Sequence, residues 1–187
     1  MIRTFTRRGF ASCLLATAAL GSPFSFGSTN AAALTDLKSR FEYLSQHGNS
    51  NCSRQFTDSI AAMPETALLQ GSCCSPMVLD RYSKQVNGLR KYRNIALIPD
   101  DPYNIAAGTA QKLMPYYKLQ LGPAEQKVYD YAIANSNEKG PCCCKCWRWN
   151  MYGGLGKFLI REHHFTGEQL VEVWNLSDGC GGAEDQG

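Results

Sequence analysis

Four cysteines within five residues constrain this chain more than any other feature. They are Cys142, Cys143, Cys144 and Cys146, in the run Pro141-Cys142-Cys143-Cys144-Lys145-Cys146. A second pair, Cys73-Cys74, precedes Ser75-Pro76-Met77, and Cys180 lies in Gly179-Cys180-Gly181-Gly182. With Cys52 these make eight cysteines, and Cys13 is the ninth. Three consecutive side chains leave a backbone in different directions, so bridging all of them needs three partners arranged around one short loop. Metal coordination meets that crowding more easily. Thiolates are the metal-binding form of cysteine, and both clusters stand just before predicted helix starts, where unpaired N–H groups favour negative charge. Soft sulfur donors select Cu(I), Zn²⁺ and similar ions.

The expected ligands are therefore Cys142, Cys143, Cys144 and Cys146, supported by Cys73, Cys74 and Cys180. Met77, His163 and His164 are further candidates, with Met151 as another thioether in reach of the run. Two other readings of the same sulfurs stay open. Four cysteines lie inside the 142–146 run and four outside it, so four disulfides would use them all, each contributing about 2–4 kcal/mol. Such a chain would be a stapled interaction module whose partner is another extracytoplasmic protein. Alternatively, Cys143 and Cys146 form a C-x-x-C pair suited to thiol–disulfide exchange, although no parallel-strand pattern surrounds it. An iron–sulfur cluster has enough cysteines, but the spacing matches neither ferredoxin pattern. Trp147 occupies the position where a c-type haem signature requires His.

The N-terminus fixes the expected compartment. Thr6-Arg7-Arg8-Gly9-Phe10 resembles a twin-arginine export signal, followed by an apolar stretch from Phe10 to Leu20 and by small residues at Ala31-Ala32-Ala33. A basic start, a short apolar middle and a small-residue exit define a cleavable signal. The apolar run falls short of the roughly 20 residues that a membrane span needs. The expected organisation is a signal over residues 1–33, then one domain over 34–187, delivered to the periplasm or the exterior. The formal charge of the whole chain is +3. The signal carries three arginines and no acidic residue, so the remainder is neutral and lacks the basic footprint of a nucleic-acid binder.

Periodicity points to helices throughout. Leu34, Leu37, Phe41 and Leu44 share a face that ends at Gly48, and a second helix is predicted over 54–63. Val78, Leu79, Tyr82, Val86 and Leu89 mark a third after Pro76. Further helices are predicted over 105–114, from Pro123 to Asn135, and over 149–162. Gly153, Gly154 and Gly156 weaken the last of these by about 1 kcal/mol each. Thr166 and Gln169 form a capping box for a final helix through Trp174. Residues 64–76 and 94–103 read as irregular connections. No stretch sustains a period-two pattern, so the predicted fold is all-α, a small single-domain bundle with cysteine-rich loops.

The C-terminal third resembles a group of secreted bacterial proteins named for a Pro-Cys-Tyr-Cys-Gly-Cys motif. The matching residues are Pro141 to Cys146, with Cys143 and Lys145 in the Tyr and Gly positions, then Lys157-Phe158-Leu159-Ile160 and Cys180-Gly181-Gly182. That resemblance implies a cysteine-centred role outside the cytoplasm and no particular activity. The combined expectation is an exported protein that binds a thiophilic ion, for sequestration or delivery rather than catalysis.

Overall fold

A computed structural model describes residues 28–182, with side chains from residue 35 onward. The expected export signal lies outside the described residues, apart from the backbone of 28–33, which belongs to the first helix. Seven α-helices follow one another: α1 Ser28–Gln46, α2 Arg54–Ser59, α3 Leu79–Leu89, α4 Ala107–Leu113, α5 Pro123–Asn135, α6 Trp147–His163 and α7 Gly167–Ser177. Short 3-10 turns extend α2, α3 and α4 at their C-terminal ends. No described helix is long and apolar enough to cross a membrane.

The all-α expectation is corrected by a small sheet. Strands β1 (Leu68–Gln70) and β2 (Asn104–Ala106) pair antiparallel, with Leu69 opposite Ile105. Each falls in or beside a stretch expected to be irregular or helical. Three-residue strands show barely one period of alternation, so their sequences carry almost no strand signal. Here Leu69 and Ile105 turn inward, both buried, and the pairing satisfies backbone groups that a loop would leave exposed.

Helix α6 forms the centre of the larger core. Trp147, Arg148, Met151, Tyr152, Leu155, Leu159 and Ile160 are all buried along it. A helix covered on nearly every side has no polar face to show, which explains its weak amphipathic pattern. It packs on the 3-10 segment Met114–Lys118 and on α4, α5 and α7. The glycines make that approach possible. A Cβ on Gly154 would lie 2.0 Å from the Leu113 carbonyl oxygen. Those residues weaken the isolated helix but let it sit deep.

A second, smaller cluster joins α1 to α3 through Leu37, Leu44, Met77, Tyr82, Val86 and Tyr103. Asp101, in the 94–103 connection, is its buried polar anchor. Its carboxylate accepts from Arg40 Nη2 at 2.8 Å, Tyr82 Oη at 2.7 Å and the Tyr103 N–H at 2.9 Å. Asp100 instead stays exposed, within 3.5 Å of Arg93. The two carboxylates therefore serve separate structural roles.

Candidate metal centre

Four chain segments deliver sulfur to one place. The first carries Cys52, between α1 and α2. The Asn49 and Ser50 N–H groups both donate to the Gln70 carbonyl, at 3.1 and 3.0 Å, tying this loop to the end of β1. Ser50 Oγ also accepts from Trp147 Nε1 at 3.1 Å, which brings the loop to the start of α6. Ser53 then caps α2, its hydroxyl accepting from the Phe56 N–H at 3.1 Å.

The second segment carries Cys73 and Cys74 away from β1, and the fourth carries Cys180 out of α7. They are joined directly. Ser75 N–H donates to the Cys180 carbonyl at 2.8 Å and Gly182 N–H to the Pro76 carbonyl at 2.9 Å. Gly181 is required at this crossing. Its φ is +74°, and a Cβ there would stand 2.1 Å from the Ser75 carbonyl oxygen. Asp178 braces the same turn by accepting from the Cys180 N–H at 3.2 Å and pairing with Arg81.

The third segment is the cysteine run. Ser136 closes the preceding loop, its hydroxyl accepting from the Gly140 N–H at 2.9 Å. Cys146 N–H donates to the Cys144 carbonyl at 2.9 Å, and Cys146 occupies the N-cap of α6. Arg148, one turn in, is fully buried. Its guanidinium donates to the carbonyls of Gly71 and Pro102 and lies 4.5 Å from the centre of the Trp147 ring. One side chain thereby fixes the helix carrying the run against the loop carrying Cys73.

The resulting sulfur body contains all eight described cysteines, each a free thiol. Cys142 and Cys180 stand 3.0 Å apart, Cys52 and Cys74 3.2 Å, Cys52 and Cys144 3.3 Å, and Cys74 and Cys144 3.5 Å. Cys143 lies 3.8 Å from Cys74. Three groups of four have every sulfur within 4.8 Å of the others: Cys52, Cys73, Cys144 and Cys146; Cys73, Cys74, Cys144 and Cys180; and Cys142, Cys143, Cys144 and Cys180. Several groups of cysteines are thus positioned to hold a metal ion. With metal–sulfur bonds of about 2.3 Å, a tetrahedral site has sulfur–sulfur edges of about 3.8 Å. The closest sulfur pairs stand at or somewhat below that length, and each group of four stays within 4.8 Å.

Burial divides the body into a base and a rim. Cys142, Cys146 and Cys180 are buried, Cys73 and Cys144 half-buried, and Cys52, Cys74 and Cys143 exposed. The base is shielded from water while the rim stays open to it. Proton sharing follows the packing. Hydrogen bonds donated by Cys142 hold Cys144 down at about 7 and push Cys146 and Cys180 well below the usual thiol range. The donating side moves the other way: Cys142 and Cys73 are raised chiefly by their bonds to neighbouring sulfurs. Burial raises Cys52 to about 11.

Cys52 was missing from the expected ligands. Isolated in sequence, it carried only the signal of an even count after Cys13 is set aside. His163 and His164 are the opposite case. Both are exposed at the C-terminal end of α6, roughly 26 Å along the helix from Cys146 at 1.5 Å per residue. His163 packs against Phe158 and Phe165, and His164 takes the left-handed cap position. Met77 lies within the smaller core and Met151 within the larger. No protein-family model, curated protein or solved structure matches the chain.

Proposed function

We propose that this is an exported protein that binds a thiophilic metal ion, Cu(I) first and Zn²⁺ second, and that it sequesters or delivers that ion. The observation that carries the reading is the convergence of eight thiols from four segments into overlapping four-sulfur groups. Every donor in those groups is sulfur, with no imidazole or carboxylate among them. All-sulfur sites favour soft ions over Mg²⁺ or Ca²⁺. The exposed rim supports delivery, because a partner's thiolate can reach Cys52, Cys74 or Cys143 and exchange ligands stepwise. Arg7 and Arg8 support the export half of the proposal.

The test is to purify the protein without chelator, count thiols under denaturing conditions and measure bound metal in the same sample. Several thiols with stoichiometric copper or zinc support the reading. Oxidised sulfur without metal overturns it. Replacing Arg7 and Arg8 together with Lys should hold the chain in the cytoplasm, and unchanged export would remove the twin-arginine assignment.

One observation favours a second reading. Each sulfur of the run has a separate neighbour outside it: Cys142 with Cys180, Cys144 with Cys52, Cys143 with Cys74, and Cys146 with Cys73. Four bridges could form in that pattern, each by loss of two protons and two electrons to an external disulfide oxidant. The product would be the stapled module. The thiol count and metal content above separate the two states.

A further inference from the structure

We infer that the sulfur body holds several ions at once, as one polynuclear thiolate cluster in which Cys144 is the central bridge and Cys73 and Cys180 are secondary bridges. This rests on the metal-binding reading and specifies its stoichiometry and architecture. The three four-sulfur groups are not alternatives spread over the surface. They share members: Cys144 belongs to all three, Cys73 to the first two and Cys180 to the last two. Eight sulfurs thereby fill three four-coordinate sites only if these three thiolates each serve more than one ion.

A single ion fits the body poorly. It would take four sulfurs at most and leave four others packed against it. The buried members, Cys142, Cys146 and Cys180, have other sulfurs as their side-chain neighbours. A single ion would leave these sulfurs without a metal partner although they stand at metal-site spacing. The fully buried cation beside them is Arg148, whose charge acts on Cys73, Cys142 and Cys180. A sulfur bonded to two or three ions shares its charge among them.

Each group spans the body from base to rim: Cys142 and Cys180 with the exposed Cys143, Cys146 with the exposed Cys52, and Cys180 with the exposed Cys74. Cys144 touches both sides. Because the groups share Cys144, Cys73 and Cys180, an ion in one group already holds part of the ligand set of the next. The expected behaviour is cooperative filling.

The experiment uses the full chain with Cys13→Ser, reduced and kept anaerobic. It is titrated with Cu(I) against a competing Cu(I) chelator, and separately with Zn²⁺. Native mass spectrometry counts the ions, and X-ray absorption at the metal edge looks for metal–metal scattering. The proposal expects three or more ions per chain, few one-ion intermediates and a metal–metal distance. Saturation at one ion with sulfur-only scattering overturns the cluster but leaves the metal-binding reading standing. No uptake by fully reduced protein overturns both. Cys144→Ser should remove two or more ions, whereas Cys143→Ser, on the rim and in one group, should remove no more than one. Equal losses from the two variants overturn the bridging role of Cys144. The wild-type ion count decides nuclearity even if Cys144→Ser fails to fold.

Discussion

Replacing Gly154 with Ala tests how the central helix is seated. In an isolated helix this substitution stabilises by about 1 kcal/mol, because glycine loses more backbone freedom on folding. In the folded protein the new Cβ would meet the Leu113 carbonyl oxygen at 2.0 Å, the Leu113 carbonyl carbon at 2.9 Å and the Tyr117 nitrogen at 3.1 Å. All three are backbone atoms, so no side chain can rotate away. Restoring ordinary contact of 3.4 Å to the Leu113 oxygen requires α6 to withdraw by about 1.4 Å from the end of α4 and the 114–118 segment. A gap of that size forfeits about half or more of the dispersion energy across the contact. Overpacking of this kind costs about 1–3 kcal/mol, and more where backbone blocks relaxation. Allowing for the helix gain, Gly154→Ala should lose about 2–3 kcal/mol. Gly156→Ala provides the comparison. Its Cβ meets side-chain atoms only, Trp174 at 2.8 Å and the Leu170 methyls at 3.3 Å, which can shift. Chemical denaturation of both variants, followed by circular dichroism, measures the difference. The reasoning fails if Gly154→Ala matches or exceeds wild type, or if Gly156→Ala proves the costlier change.

Arg148→Met should cost about 3 kcal/mol or more in the same assay. It removes two charge-assisted hydrogen bonds worth about 1.5–3 kcal/mol each and leaves the Gly71 and Pro102 carbonyls buried without them. Wild-type stability in that variant would refute the clamp. Stripping bound metal with a thiol-competitive chelator should lower Tm by about 5–10 °C, since an ion present at 100 times its Kd stabilises by about 2.7 kcal/mol and a chain of this size shifts about 2–4 °C per kcal/mol. An unmoved Tm, with metal loss verified, contradicts a role for the ion in holding the fold. Glu125 accepts from Arg161 and from the Gly122 N–H, which draws its carboxyl down to about 2. Because the folded value lies below the unfolded one, the stabilisation is complete above about pH 4.5 and is lost as pH falls toward about 2. The Tm advantage of wild type over Glu125→Gln should therefore be present at neutral pH and gone near pH 2; an advantage independent of pH would rule this pairing out.

Much of the helical framework can be read directly from residue patterns. The apolar face of α3, Pro123 at the start of α5 and the Thr166–Gln169 box before α7 are local signals, and each element appears where those signals place it. Helix α6 begins two residues earlier than the periodicity suggests. Trp147 and Arg148 are buried for tertiary reasons, by stacking and by distant carbonyls, which no local pattern encodes. The strands escape notice because their pairing partner lies far along the chain. The same division runs through the site. Clustering in sequence identifies the run and the Cys73-Cys74 pair as donors, but membership of Cys52 depends on Gln70 and Trp147 holding a remote loop. The pair His163-His164 misleads for the converse reason. Residue type makes both candidate ligands, yet the length of α6 carries them away from the sulfurs.

The four segments that meet at the sulfurs begin at Cys52 and end at Cys180, enclosing most of the described chain. An extended polypeptide offers no such nest, so the four-segment site exists only after synthesis is nearly complete and the tertiary structure has closed. If the proposed export threads the chain unfolded, any proposed cargo is shed at the door and must be gathered again on the far side. If it moves the finished fold, the protein can leave already loaded, and the supply of thiophilic ions in the inner compartment decides what the outer one receives.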